Sequence, residues 1–260
     1  MNKSIIAITF LSILLLSCGK DDTTTNPPDD GTIKKSSKRG LAYNLTNSAD
    51  LDTLKSGVSW WYNWYYTTTA PSNYFDDYQM EFIPMLWGGN TSNSDITAVK
   101  SFILNHPEVK YLLVMNEPNL TDQANRTPEQ AAVDWLKYEQ VVSDLAAQQR
   151  TVYLVGPAMT WGTMPNYSDP VVWLDAFYAA YKNANGNRPP KIDYLAFHWY
   201  DYGLAAQLDR LQKYGKQIWI TEMANWNSQI NSYQKQAAQM VEMVNICETR
   251  ADVFRYAWFI

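Results

Sequence analysis

Two glutamates, Glu117 and Glu222, each stand at the end of an apolar run that is typical of a buried strand. Glu117 lies in the stretch KYLLVMNEPN and Glu222 closes the stretch QIWITE. A carboxylate at the end of a buried strand is either paired there or serves a function. Two such carboxylates across one cleft are what glycoside hydrolysis needs, since one donates a proton and the other acts as nucleophile or activates water.

The spacing of the two carboxyl groups would decide the stereochemical course. Retaining enzymes hold them ~5–5.5 Å apart, and inverting enzymes hold them ~6.5–9.5 Å apart to admit a water. The order of the strands leaves this choice open. It also leaves open a structural alternative, in which Glu117 is a strand-end carboxylate paired with Asn116 or an arginine.

Other polar residues accompany the two glutamates. Asn116 directly precedes Glu117, and we expect it to hydrogen-bond a sugar hydroxyl. His198 and Tyr200 leave the sixth predicted strand, and we expect them to hold the Glu222 carboxylate in its charged state. The alternative for His198 is a hydrogen-bonded core histidine.

Competing chemistries find little support in the sequence. The chain has two histidines and neither H-E-x-x-H nor G-x-S-x-G, so a multi-histidine zinc site or a serine nucleophile elbow is not expected. Cys247 lies within a predicted helix, away from both histidines. We therefore expect neither a metal nor a cofactor.

The elements that must position these residues are eight short apolar or aromatic runs, most of them separated by predicted helices. They span residues 39–44, 58–64, 81–87, 110–119, 152–157, 192–200, 217–222 and 253–260. The alternation predicts a (β/α)8 TIM barrel, in which the fourth and seventh strands face each other across the mouth. A doubly wound sheet is disfavoured because no glycine-rich phosphate turn follows the first strand. No helix is predicted after the eighth strand, so we expect either a barrel lacking its last helix or a fragment.

Capping signals predict where the helices begin. The expected first residues or caps are Ser48 or Asp50, Ser94, Thr127, Asp169, Leu204 and Ser228. Thr127 is followed by Pro128 and Gln130, which together are typical of a capping box. The helix from Leu204 is expected to run to Tyr214 and stop at Gly215, and the last helix is expected to run to Arg250.

Aromatic residues are abundant, with 11 tryptophans and 18 tyrosines among 260 residues. Flat aromatic faces suit sugar rings. The stacking candidates at predicted carboxyl ends of strands are Trp64, Trp87, Trp226 and Trp258, whereas Trp60, Trp61, Trp135 and Trp173 are assigned to packing. The net charge of −5 argues against nucleic acid as a partner.

The amino terminus predicts export. A lysine precedes an apolar run from Ile5 to Leu16, which Ser17, Cys18 and Gly19 close, so residues 1–18 are predicted to be a signal peptide. The break resembles the lipobox of bacterial lipoproteins, which implies lipidation of Cys18; an ordinary signal peptide is the alternative. Residues 19–38 are polar and predicted to be a disordered tether, followed by one domain over 39–260. We expect an exported, monomeric lipoprotein that a lipid anchor holds in the outer membrane, exposed on the cell surface.

Several motifs carry a family resemblance. Asn-Glu-Pro ending the fourth strand, with Trp-Ile-Thr-Glu ending the seventh, resembles the large clan of retaining (β/α)8 glycoside hydrolases. The motifs YNW, FHWY and AWF at the ends of the second, sixth and eighth strands are similar to glycoside hydrolase family 128. This family, also described as the Asl1-like glycosyl hydrolase catalytic domain, contains endo-β-1,3-glucanases.

The resemblance implies roles for the residues. It implies that Glu117 is the acid/base and Glu222 the nucleophile of a retaining endo-β-1,3-glucanase. Aromatic strand ends and Asn63 would shape the cleft for a β-glucan. Two alternatives stay open, a retaining glycosidase of another β-glycan linkage and a non-catalytic glycan-binding lipoprotein.

Overall fold

The computed structural model describes residues 35–260. The predicted signal peptide, Cys18 and most of the predicted tether lie outside the described residues and stay predictions. Lys38, which the sequence assigned to the tether, already contacts the domain. Its Nζ donates to the carbonyl oxygens of Cys247, at 3.1 Å, and Arg250, at 2.9 Å.

The described residues form nine strands and six α-helices, and a helix lies between most consecutive strands. The strands are β1 Arg39–Ala42, β2 Trp60–Tyr62, β3 Glu81–Phe82, β4 Met85–Leu86, β5 Tyr111–Val114, β6 Tyr153–Met159, β7 Tyr194–Trp199, β8 Ile218–Met223 and β9 Val253–Phe259. The helices are α1 Ser48–Leu54, α2 Asn93–Asn105, α3 Pro128–Ala147, α4 Pro170–Ala184, α5 Leu204–Leu211 and α6 Tyr233–Thr249, with a 3-10 turn over Gln212–Tyr214. Among these helices, none is both long and apolar enough to cross a membrane.

All strand pairs are parallel, and the sheet order is β3-β2-β1-β9-β8-β7-β6-β5-β4. The two outer members, β3 and β4, are halves of the single predicted strand 81–87. β3 pairs with β2 and β4 pairs with β5, so this strand joins the two ends of the sheet. Pro84 separates the halves because it has no N–H for the ladder. The predicted (β/α)8 barrel is therefore confirmed.

Two helix starts follow the sequence signals closely. Thr127 and Gln130 form the predicted capping box of α3, and the Asp169 side chain caps α4 at Val171 N. α2 begins earlier than expected, because the Ser92 side chain rather than that of Ser94 accepts the hydrogen bond from Asp95 N.

The predicted start of the last helix at Ser228 is wrong by several residues. α6 begins at Tyr233, with Ser232 as its cap. The intervening backbone bonds to side chains instead: Asn227 N donates to Asn225 Oδ1, and Gln229 N donates to Asn227 Oδ1. Asparagine side chains compete with helical hydrogen bonds in this way.

The lower half of the barrel interior is filled with aromatic rings. Trp60 packs edge-on against Trp219, with ring centroids 5.1 Å apart. The Arg255 guanidinium lies 5.0 Å from the centre of the Trp219 ring and 2.8 Å from Glu81 Oε2. Gly40 is required beside Trp60, since a Cβ there would collide with the indole. This packing gives the mouth of the barrel a rigid floor.

Candidate active site

Glu117 lies three residues past the end of β5, where the backbone leaves the sheet. Met115 and Glu117 have φ values of 59° and 46°, in the left-handed region that is costly for residues other than glycine. Hydrogen bonds hold this turn: Asn116 N donates to Trp87 O and Glu117 N donates to Ala158 O, both at 2.8 Å. The carboxyl group, in a residue only 8% exposed, faces the cavity at the mouth.

Glu222 lies in β8, is 5% exposed, and accepts three hydrogen bonds from uncharged groups. Its Oε1 accepts from Tyr62 Oη at 2.8 Å and from Trp64 Nε1 at 2.7 Å. Its Oε2 accepts from Tyr200 Oη. Hydrogen bonds to an oxygen from several donors stabilise negative charge on the carboxylate.

A bulge in β8 brings Glu222 to this position. Phe197 and His198 of β7 pair with Ile220 and Glu222, so β8 carries one extra residue, Thr221. The same extra residue appears in the pairing with β9. Strict alternation would place neighbouring side chains on opposite faces, but the bulge lets Thr221 and Glu222 both face the site.

His198 is fully buried between the two glutamates, with 0% exposure. Its Nδ1 lies 2.8 Å from Glu117 Oε1 and 3.4 Å from Glu222 Oε2, and its Nε2 lies 2.9 Å from Thr221 Oγ1. Burial alone would lower the pKa of His198, but the charge of Glu222 and the hydrogen bond to Glu117 raise it above its ordinary value. The imidazole was expected to hold Glu222, yet it lies closer to Glu117. Because it is fully buried, it cannot contact a substrate directly.

Tyr62 and Tyr200, the two tyrosines that donate hydrogen bonds to Glu222, stay protonated. Burial, reinforced by the charge of Glu222, raises the pKa of Tyr62 well above its usual range. The same two causes, in the same order, raise the pKa of Tyr200. Both phenols are therefore fixed donors to the carboxylate.

Glu117, His198 and Glu222 offer ligand atoms that lie within 4.8 Å of one another, close enough to share one metal ion. Their hydrogen bonds point to another use. The oxygens of Glu222 already accept from Tyr62, Trp64 and Tyr200, so three of the roughly four lone-pair sites of this carboxylate are engaged. The donor set fits a carboxylate that acts by itself.

Above the glutamates lies a cleft of about 600 Å³. Strand ends and the loops that follow them supply its walls, namely Trp64, Trp87, Asn116, Leu120, Asp122, Gln123, Thr160, Trp161, Thr163, Tyr200, Trp226 and Phe259. Trp226 is 63% exposed and stacks on Tyr200, with ring centroids 4.2 Å apart. Three of the four predicted stacking tryptophans thus line the cleft.

Asn116 also borders the cleft, as the sequence suggested. Its Nδ2 donates to Gln123 Oε1 at 3.3 Å. Its Oδ1 is buried and accepts no hydrogen bond from the described residues. A buried amide oxygen without a partner is costly in a folded protein, and because the atom is buried a sugar hydroxyl cannot reach it in this conformation.

Two predicted site residues lie elsewhere. Asn63 is engaged within its own loop, where Nδ2 donates to Thr67 O and Oδ1 accepts from Tyr65 N, and it does not line the cleft. Trp258 packs in the outer layer between barrel and helices. The reason is the two-residue period of β9, which turns Ala257 and Phe259 inward and Trp258 outward.

Trp161 lines the cleft although the sequence did not single it out. The predicted fifth strand ends at Pro157, but β6 continues to Met159, so Trp161 lies just beyond its carboxyl end. Its indole is fixed from two sides, since Nε1 donates to Gln207 Oε1 at 3.2 Å and the Arg210 guanidinium lies 5.3 Å from the ring centre. Extending the predicted fifth strand by two residues, to Met159, would have identified Trp161 as a residue at the strand's carboxyl end.

Comparisons with known proteins show which family and which solved structures this chain is similar to. A family model described as a glycosyl hydrolase catalytic core matches residues 40–260. The comparison with curated proteins gave no match. Among solved structures, the chain is similar to a glycoside hydrolase family 128 (subgroup II) endo-β-1,3-glucanase from Pseudomonas viridiflava. The identity is 52%, the TM-score is 0.81, and the match covers 86% of this chain and 87% of that one.

Two further solved structures of the same family carry bound sugars. One is a curdlan-specific exo-β-1,3-glucanase (subgroup III) from Blastomyces gilchristii with glucose, at 30% identity and a TM-score of 0.62, covering 85% of this chain and 88% of that one. The other is a glutamate-to-alanine variant of a subgroup I endo-β-1,3-glucanase from Amycolatopsis mediterranei with laminaripentaose. It has 25% identity, a TM-score of 0.66, and coverage of 86% and 88%.

Proposed function

The chain belongs to glycoside hydrolase family 128, within the glycosyl hydrolase catalytic core, and from that membership we propose that it cleaves β-1,3-glucan internally with retention of configuration. In this proposal Glu222 is the nucleophile and Glu117 the acid/base. The predicted enzyme class is confirmed, because family model and similar structures are all glycoside hydrolases. A purely glycan-binding role is therefore set aside.

The observation that carries the proposal is that the two carboxyl groups have different hydrogen-bond partners. Glu222 accepts from Tyr62, Trp64 and Tyr200, three uncharged donors that stabilise an anion. Glu117 bonds through Oε1 alone, to His198, and its Oε2 has no partner among the described residues. A carboxylate held as an anion suits a nucleophile, whereas a carboxyl oxygen free to face the cleft suits a proton donor.

The distance between the groups supports retention. One oxygen of each glutamate lies within 4.8 Å of the other. Retaining enzymes hold their carboxyl groups ~5–5.5 Å apart, and inverting enzymes need ~6.5–9.5 Å for an intervening water. Because the two carboxyl groups lie this close together, the Glu222 carboxylate is near enough to attack the anomeric carbon itself.

The chemistry then runs in two displacements. A Glu222 oxygen attacks the anomeric carbon, the glycosidic C–O bond breaks, and the Glu117 proton passes to the leaving oxygen. Glu117, now ionised, takes a proton from water, whose oxygen attacks the same carbon and breaks the glycosyl ester. Both carboxyl groups return to their starting states, and two inversions give net retention.

The substrate assignment rests on the family and the cleft. Family members with solved structures are described as β-1,3-glucanases, and bound laminaripentaose and glucose are named in two of them. The aromatic walls of this cleft suit the faces of glucosyl rings. Endo action follows the endo-acting relative from P. viridiflava, at 52% identity, whereas the exo-acting one shares 30%.

A panel of soluble glucans tests the function. We expect the purified enzyme to shorten laminarin, with early products of several lengths, and to leave a β-1,4-glucan intact, because the cleft would be shaped for the curved β-1,3 chain. Size-resolved product analysis over the first few per cent of reaction measures this. Glucose as the sole early product would contradict endo action, and faster cleavage of the β-1,4-glucan would contradict the linkage.

A further inference from the structure

Thr221 is the extra residue of the β8 bulge, and it faces the fully buried His198. It is 1% exposed, and its Oγ1 lies 2.9 Å from His198 Nε2. Among the described hydrogen bonds, this is the only one that the Thr221 hydroxyl makes. The hydroxyl therefore has one partner among the described residues, the imidazole nitrogen that lies away from the glutamates.

The two sides of the imidazole meet different groups. The charged groups that act on His198 are Glu222 and Glu117, and both lie on the Nδ1 side. The phenols of Tyr62 and Tyr200 are neutral and donate to Glu222. Carboxylate oxygens accept only, whereas a hydroxyl can donate or accept. The Nε2 side thus has the one partner that can adapt to either protonation state.

We propose that Thr221 is a positioning residue that keeps a proton on His198 Nδ1 in both charge states of the imidazole. In the neutral ring the hydroxyl donates to Nε2, so the ring proton lies on Nδ1. In the cation the hydroxyl accepts from Nε2–H. In both states Nδ1–H donates to Glu117 Oε1, so Oε2 is left to carry the catalytic proton.

The proposal rests on the proposed function for the role of Glu117, and it adds which oxygen works. Without the hydroxyl, the neutral ring can hold its proton on Nε2 and present a bare Nδ1 to Glu117. The Glu117 proton would then lie on Oε1 and hydrogen-bond to that nitrogen, where it points away from the glycosidic oxygen. The cation would lose its only acceptor at Nε2, so the His198 pKa would fall.

Nitrogen NMR tests this directly, because the chain has only two histidines. In ¹⁵N-histidine-labelled enzyme, a His106→Asn variant assigns the two imidazoles. We expect neutral His198 to be protonated on Nδ1 in the wild type. In Thr221→Val we expect an Nε2–H form to appear, the His198 pKa to fall, and kcat to drop on the order of tenfold, by analogy with the loss of a group that orients a metal-bound histidine.

Thr221→Ser is the matched variant, since it restores the hydroxyl without the methyl group, and it should keep the wild-type tautomer and kcat. A neutral Nε2–H tautomer in the wild type would overturn the proposal. So would a Thr221→Val enzyme with wild-type kcat, or a Thr221→Ser enzyme as impaired as the valine variant. The tautomer is read without turnover, so an active Glu117→Gln enzyme would refute the proposed function while the NMR result still decides the role of Thr221.

Discussion

Glu222→Gln is expected to lower kcat on laminarin on the order of 10⁴-fold or more, as the loss of a nucleophile does in other enzymes that form covalent intermediates. The amide keeps the size of the side chain but has no negative charge to attack the anomeric carbon. Tyr62 and Trp64 would still donate to an amide oxygen in the place of Oε1, and the new NH₂ group would then meet the Tyr200 hydroxyl. Reducing-sugar release over a long incubation measures the loss.

A matched control is Glu242→Gln on α6, where the glutamate is exposed and accepts only from Gln239. It should keep wild-type activity. Circular dichroism and thermal unfolding of both variants separate a chemical loss from unfolding. Residual activity of Glu222→Gln within tenfold of the control would remove Glu222 from the role of nucleophile.

Glu117→Gln is expected to affect substrates according to their leaving group. On laminarin the loss should be about 10²–10⁴-fold, the usual contribution of general acid–base catalysis. A dinitrophenyl laminaribioside needs no proton to release its phenolate, so its first step should proceed almost as in the wild type. The second step still needs a base for water and should be slow.

Rapid mixing makes this visible as a burst of one dinitrophenolate per enzyme, followed by slow turnover, because the glycosyl ester on Glu222 accumulates. The wild type should show no such separation of steps on this substrate. Equal losses on laminarin and on the aryl substrate would contradict the assignment of Glu117, since a proton donor matters only where the leaving group needs a proton.

The barrel and the two glutamates were within reach of sequence reasoning. Buried parallel strands read as short apolar runs, and a charged residue at the end of such a run stands out. The predicted β-strand at residues 81–87 even survives as the two halves β3 and β4. Capping chemistry is equally local, so the α3 box at Thr127 and the α4 cap at Asp169 were predictable.

The hydrogen bonds around Glu222 were harder to foresee. Tyr62 was read as part of a strand-end motif, but its contact with a carboxylate 160 residues away depends on barrel closure. The bulge at Thr221 breaks the two-residue period, so no pattern in β8 indicates that Thr221 and Glu222 share a face. The placement of Trp258 was predictable from the sequence. The two-residue period of β9 indicates that Phe259, and not Trp258, faces the interior of the barrel, whereas the aromatic motif alone does not distinguish the two.

The most direct measurement is proton NMR of the first products released from a laminari-oligosaccharide, with enough enzyme to outrun mutarotation. Two displacements through Glu222 predict that the new reducing ends appear first as the β-anomer, and that the α-anomer grows later as they equilibrate. An α-anomer that appears first would mean a single displacement by water, and would contradict both the retaining mechanism and the role of Glu222 as nucleophile.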